Sequence, residues 1–252
     1  MNLYDYIKNI FIKKKKINIK LLPSQGFFYE DDFDLYIKKV SKKDIDIYKD
    51  GFISTDLGII LTKVKNLVYN NIITNYDFDY IRSIDIIYIF FELVKFTKNK
   101  SIDIEYFDIN GNKRKIEFSE KYFNYFDFGQ FKNNWNSIDK CFDINKYKYT
   151  LPSISIENCL TDFLNYKLFE GDTKKWNEYN YDFIYFLGKK EFLTFDEIEN
   201  LIQIFNYDLS EEESEKVVNI IKSFRKLQRY TLIDNEFEID LSTRVNIGGV
   251  WD

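Results

Sequence analysis

Proline occurs twice in this chain of 252 residues, at Pro23 and Pro152, and both times inside the tripeptide Leu-Pro-Ser. A proline fixes its own φ, offers no backbone N–H and pushes the residue before it out of the helical region. Neither a helix nor a central strand can run through such a site, so the two tripeptides mark the ends of regular elements. The first stands in a longer turn-like stretch, LPSQGFFY (Leu22–Tyr29), where Gly26 permits a chain reversal and Phe27, Phe28 and Tyr29 come directly after it. Those three rings need a receiving surface, which is either the chain's own core or a neighbouring molecule.

Apolar spacing places the elements around these stops. Tyr4, Ile7 and Phe11 recur at helical spacing, and residues 1–16 read as a short helix or arm ending in the basic run Lys13–Lys16. For that run a solvated arm is preferred over contact with phosphate or an anionic membrane. Ile17, Ile19 and Leu21 alternate with Asn18 and Lys20, the period of a strand that Pro23 would end. Asp34–Val40 alternates again. Ser41 with Asp44 gives a helix start, and Gly51 a stop. Leu57, Ile60, Leu61, Val64, Leu67, Val68 and Ile72 share one face of a second helix. The most apolar run, Tyr80–Phe96, is interrupted by Arg82, Asp85 and Glu92 and falls short of the about 20 residues a membrane span needs, so it reads as a buried helix capped by Asp77 or Asp79. Residues 101–119 predict a hairpin turning at Asn110-Gly111, a dipeptide that tolerates positive φ at both positions.

Residues 119–145 are aromatic and weakly periodic, with Phe123, Tyr125, Phe126, Phe128, Phe131 and Trp135 crowded together, and suggest a long excursion between modules. Lys146–Leu151 alternates as a strand and leads into the second Leu-Pro-Ser. Cys159, Phe163 and Tyr166 then mark one helix, and Trp176, Tyr179, Phe183 and Leu187 another, with Gly188 as its stop. Thr194 with Glu197, and Ser210 with Glu213, have the spacing of capping boxes, and Leu193 can staple onto Ile198. A hairpin over Arg229–Leu241 turning at Asp234-Asn235 precedes a tail with Gly248-Gly249 and an anchor-like Trp251. The fold class expected is α+β: N-terminal strands, buried helices and a central hairpin, followed by a mainly helical module closing with a short hairpin. The divisions expected are an arm at 1–16, an N-terminal α+β module at 17–145 and a C-terminal helical module at 146–252.

The chemistry on offer is sparse. There is no histidine, which removes Ser-His-Asp and Cys-His hydrolases and most transition-metal sites. Cys141 and Cys159 fit no zinc pattern, and two cysteines without a secretion signal make a reducing, intracellular setting the default. No Gly-rich phosphate loop occurs. A calcium loop counted from Tyr106 would use Asp108, Asn110, Gly111 and Glu117, but Tyr106 is a poor first ligand and the flanks alternate like strands. The 41 acidic residues offer many carboxylate pairs, none in a distinctive context. No catalytic residue, metal, cofactor or small-molecule substrate is expected. The net charge of −5 argues against a general nucleic-acid binder. Lys146–Tyr149 and Phe224–Tyr230 interleave basic and aromatic residues as single-strand binders do, and the preferred reading there is an exposed strand face and a helix end. What remains is surface for protein partners, where aromatic residues are enriched. An aromatic content of 19% with no alanine also suggests an AT-rich genome, so abundance alone does not mark an interface.

The stretch LPSQGFFY resembles the Leu-Pro-Ser-x-Gly-x-x-Tyr opening of baseplate proteins from T-even-like contractile-tailed bacteriophages. Leu22, Pro23, Ser24, Gly26 and Tyr29 match it, and the strand at Asp34–Val40 and helix start at Ser41–Asp44 match the strand and capped helix that the motif introduces in that family. The resemblance covers about 25 residues and implies a non-enzymatic structural or assembly subunit of the tail baseplate, in the hub. The implied partners are other baseplate or tail proteins, and the implied location is the virion, after assembly in the host cytoplasm. The candidate docking residues are Leu22, Pro23, Ser24, Gly26, Phe27, Phe28, Tyr29 and Trp251. A tail-assembly chaperone that leaves before the virion is complete is the alternative, and after it a carboxylate enzyme or nucleic-acid-binding accessory protein.

Overall fold

In the computed structural model, which describes residues 13–49, 57–108, 110–119, 129–170, 178–187, 193–227, 231–234 and 237–240, the basic run forms a strand, β1 (Lys14–Lys16). It pairs antiparallel with β2 (Leu35–Lys38), which pairs antiparallel with β3 (Ile72–Thr74). The register sets Lys15 opposite Ile37, and Lys14 and Lys16 opposite Lys38 and Tyr36. Leu35 and Ile37 are fully buried, so the period of two turns Lys15 inward and its neighbours outward. Inside, the Lys15 ammonium meets the Glu92 carboxylate at 2.5 Å. That buried partner, far away in sequence, explains why the run is a strand where a solvated arm was expected. The strand expected over Ile17–Leu21 is instead a 3-10 turn at Ile19–Leu21, opened by Asn18, whose side chain accepts the Lys20 N–H.

Helix α1 (Lys42–Lys49) starts as expected: Ser41 Oγ accepts the Asp44 N–H at 3.1 Å and donates to the Asp44 carboxylate at 2.7 Å. Helix α2 (Leu57–Asn71) buries Val64, Leu67 and Val68, while Ile72 leaves it for β3. Helix α3 (Ile86–Lys98) is buried without interruption from Ile86 to Val94, as an apolar run demands. It begins later than a cap at Asp77 or Asp79 would give, because two separate 3-10 turns, Phe78–Tyr80 and Ser83–Asp85, precede it. The hairpin of β4 (Asp103–Phe107) and β5 (Lys113–Glu117) lies where predicted, with Phe107 opposite Lys113. Its loop is longer than an Asn-Gly turn. The Asp108 carboxylate accepts the N–H groups of Asn110 and Asn112, both at 2.9 Å, and Gly111 takes a positive φ of 78°. The side chain adds to the backbone bonds that close the turn, from the Gly111 N–H to the Asp108 carbonyl at 2.9 Å and from the Asp108 N–H to the Asn112 carbonyl at 3.0 Å.

Part of the region read as an excursion is regular. A 3-10 segment at Gly129–Asn134 leads to β6 (Trp135–Asn136), β7 (Cys141–Ile144) and β8 (Tyr147–Tyr149), an antiparallel sheet in that order. Helices α4 (Ile154–Phe169), α5 (Glu178–Leu187), α6 (Phe195–Gln203) and α7 (Glu211–Leu227) come next, with one π-helical turn at Ile204–Asp208 after α6. Strands β9 (Thr231–Asp234) and β10 (Phe237–Asp240) pair with Phe237 opposite Asp234. Tyr4, Ile7, Phe11, Gly51, Phe123, Tyr125, Phe126, Phe128, Trp176, Gly188, Asn235, Gly248, Gly249 and Trp251 lie outside the described residues.

The protein is therefore α+β, and its apolar side chains gather into two cores. The first joins Leu35 and Ile37 of the N-terminal sheet to α2, α3 and Ile104 of the hairpin. The second joins Phe142 and Tyr149 to Phe163, Phe183, Ile198 and Phe224 of the later helices. Phe131 and Phe142, which precede residue 146, are members of the second core, and Trp135 packs against it.

Candidate functional site

Three short segments lie between the cores: Leu22–Tyr29, Ile81–Ile86 and Leu151–Ile156, the last two running into the starts of α3 and α4. Each sends side chains both ways. Leu22 and Tyr29 enter the first core and Phe28 the second; Ile81 and Ile86 enter the first and Ile84 the second; Ile154 enters the first, and Leu151 and Ile156 the second. Both Leu-Pro-Ser tripeptides are thus parts of one junction. Backbone held between two apolar bodies must find partners for its polar groups. The Ser83 N–H donates to the Pro152 carbonyl at 3.0 Å and the Ile154 N–H to the Ile81 carbonyl at 2.9 Å, with Arg82 and Ser153 facing each other in a short antiparallel bridge.

The first tripeptide is folded back on itself. The Gln25 N–H donates to the Leu22 carbonyl at 2.7 Å, and Gln25 and Gly26 take φ of 54° and 75°. A Cβ at Gly26 would meet Ile19 Cγ1 and the Ile19 carbonyl oxygen at 3.2 Å, so the reversal requires glycine on both counts. It aims Ser24 and Tyr29 at Asp85. This carboxylate is fully buried and accepts three hydrogen bonds: from the Ser24 N–H at 2.8 Å, the Ser24 hydroxyl at 2.7 Å and the Tyr29 hydroxyl at 2.7 Å. The Tyr29 oxygen in turn accepts the Arg82 N–H at 3.0 Å. The Arg82 guanidinium reaches both neighbouring segments, donating from Nη1 to the Leu151 carbonyl at 3.0 Å and from Nη2 to the Phe28 carbonyl at 2.7 Å. Its Nε is buried without a partner. Beside this, the Ser83 hydroxyl donates to Glu157 at 3.2 Å, and Glu157 pairs with Lys65 of α2.

Burial raises Asp85 to about 6, against the opposing pull of its hydrogen bonds from Tyr29 and Ser24 and the charge of Arg82. Burial also lifts Tyr29 well above its ordinary value, reinforced by the Asp85 charge, and lowers Arg82. A carboxyl near neutrality beside a tyrosine and an arginine has the makings of acid-base chemistry. Here, however, Ser24, Tyr29 and Asp85 are all sealed from solvent, and the hydroxyl donors point at Asp85. A group that cannot meet a substrate cannot pass it a proton. The cluster binds three chain segments to one another.

This corrects the docking assignment for most of the stretch. Leu22, Pro23, Ser24, Phe28 and Tyr29 are buried by the protein itself, and Gly26 is half-buried. Phe28 stands edge-on to Trp135 at 5.4 Å between ring centroids and lies 5.9 Å from Phe142, so the chain's own second core receives it. Phe27 is 40% exposed and also stands edge-on to Trp135, at 6.1 Å between ring centroids. Trp251 lies outside the described residues. Sequence reasoning missed Arg82 and Asp85 as members of the site. The available signal was their position: charges inside the most apolar run of a chain have to be paired.

The remaining candidates resolve into packing and ion pairs. Tyr149 and Phe224 are core residues, Lys146 pairs with Glu213 at 2.9 Å, and Arg225 Nε donates to Asp182 at 2.8 Å. Asp108 is occupied by the N–H groups of Asn112 and Asn110 and by Arg114 at 3.1 Å, which hold it at about 2. Among the described residues no cluster of Cys, Asp and Glu is arranged to hold a metal, the buried Cys141 and Cys159 are not joined in a disulfide, and no helix is long and apolar enough to cross a membrane. Set against known proteins, the chain matches no family model, no curated protein and no solved structure.

Proposed function

We propose that this chain is a structural or assembly subunit of a contractile-tailed phage baseplate, in the hub, acting by docking onto neighbouring subunits. The observation that supports this is what the matching letters do. Leu22 and Pro23 are buried, Ser24 and Tyr29 bond to Asp85, and Gly26 takes the left-handed turn. The five residues of the resemblance thus build one structural device, which is the kind of position a shared fold would hold in common. A docking role also needs apolar side chains presented to neighbours. Besides Phe27, Ile138 is 88% exposed at the tip of a turn held stiff by Asn136, whose side-chain oxygen accepts the N–H groups of Ile138 and Asp139 at 3.0 Å. A side chain on a stiff turn loses little freedom when it docks, and a few desolvated apolar anchors carry most of an interface's energy.

Mass spectrometry of purified virions, with deletion of the gene, tests the reading. The expected result is that the chain is present alongside the other tail proteins and that its loss leaves tails without a complete baseplate. A chain missing from virions but required for tail formation would instead be an assembly chaperone. A chain that is missing and dispensable would sink both.

A further inference from the structure

Strand β1 is the outer strand of its sheet, and among the described residues no strand pairs with its free side. Its inward residue, Lys15, is tied down by Glu92. Its outward residues lie on a face with Tyr36 and Lys38, where the Lys14 and Lys16 ammoniums stand 4.6 and 5.7 Å from the centre of the Tyr36 ring. Lys16 pairs with Asp34. Lys14 sits directly opposite Lys38, and neither has a carboxylate partner among the described residues. Two like charges opposed across a strand pair destabilise it, so the local sequence works against the fold at this spot. Among the described residues this leaves a backbone edge without a paired strand and two lysines, Lys14 and Lys38, without a carboxylate partner.

We propose that the free edge of β1 is a docking site for an extended acidic segment of a neighbouring protein, which adds to the sheet as a further strand. Backbone hydrogen bonds would supply the pairing and carboxylates at alternate positions would face Lys14, Lys16 and Lys38. Residues two apart on a strand are about 6.5–7 Å apart, which is the spacing of alternate side chains on an incoming strand. A phosphate backbone or lipid surface fits less well. Neither carries the N–H and C=O groups that a strand edge pairs with, whereas an extended peptide supplies them at every residue. This inference deepens the docking function above and rests on it only for the source of the partner.

The probe is an acetylated heptapeptide, Glu-Thr-Glu-Thr-Glu-Thr-Glu, titrated into the full-length chain and monitored by amide hydrogen exchange. Binding should slow exchange at residues 14–16 and should weaken between about 50 and about 300 mM salt, as screening shortens the reach of the lysines. The double variant Lys14→Ser/Lys38→Ser should bind about fivefold more weakly, since exposed ion pairs are individually modest, with a melting temperature no lower than the parent's, because the opposed like charges are gone. Lys42→Ser/Lys43→Ser, on α1, should bind like the parent. Lysines on an open edge also serve to keep strands from adding, and that role would appear as no slowing at 14–16, which overturns the proposal. So would unchanged affinity in the double variant, or tighter binding of oligodeoxythymidine or phosphatidylglycerol vesicles than of the peptide. If the peptide does not bind but the chain is found in virions, this site falls and the baseplate reading stands. If the peptide binds but the chain is absent and dispensable, the reverse holds.

Discussion

Asp85 is a carboxylate held between two apolar bodies, and its proton affinity makes the junction sensitive to pH. Burial dominates and sets the folded-state value at about 6, against an ordinary 3.8. The folded chain therefore binds this proton more tightly than the unfolded chain. The group's contribution to stability is fully present at acid pH and is lost as pH rises through about 4 to 6. A difference of that size corresponds to roughly 3 kcal/mol. Asp108 and Glu213, each held at about 2 by hydrogen bonds and ion pairs, tilt the other way, losing stability as pH falls. Comparison with Asp85→Asn separates the two effects. In urea unfolding from about pH 4.5 to 7.5, the stability of the parent relative to Asp85→Asn should fall as pH rises and level off above about 7. A difference that is flat or grows with pH would show that burial is not in control. At this scale the sequence was legible only where the cause is local. Gly26 announces its own reversal, whereas Ser24 and Asp85 are 61 positions apart and no pattern of neighbours links them.

Helix starts show the same rule from the favourable side. Thr194 Oγ accepts the Glu197 N–H at 3.3 Å while the Glu197 carboxylate accepts the Thr194 N–H at 3.0 Å, and Ser210 and Glu213 repeat the exchange at 3.3 and 3.1 Å. Everything needed lies within four consecutive residues, so both boxes could be read from the chain. Thr194→Ala and Ser210→Ala should each cost about 1 kcal/mol. The measurement is a lower urea midpoint with an unchanged slope, and a loss under about 0.3 kcal/mol would deny the caps their role. Other elements were misread, one for a distant cause and two for local ones. The lysine run became a strand because its inward member finds Glu92, 77 positions away. The alternation of Ile17, Ile19 and Leu21 looked like a strand but closes as a 3-10 turn on the bond from the Leu22 N–H to the Ile19 carbonyl. The central hairpin was placed correctly and its turn was not, because the Asp108 side chain competes with the backbone for the turn's donors.

Taken whole, the molecule is two cores with interlocked borders, and Arg82 is the side chain that ties its own border segment to the other two. Parent protein should unfold in one transition, with aromatic and backbone signals coinciding. Arg82→Leu strands the Leu151 and Phe28 carbonyls, which should cost about 3 kcal/mol and cause the two signals to separate as the cores unfold independently. Equal loss with coincident signals would mean that apolar contact alone couples them. The interlock has a further consequence during synthesis. Phe28 and Ile84 belong to a core whose other members among the described residues begin at Phe131, about a hundred residues after Phe28. At roughly 5–20 residues per second, the ribosome needs about 5–20 s to make that stretch. Meanwhile the first core, complete by Phe118 except for Ile154, can close with Phe28 and Ile84 projecting from its surface. For that interval the nascent chain displays two large apolar side chains with no place to go. Its early half is then most open to mispairing with other nascent chains or to capture by a chaperone.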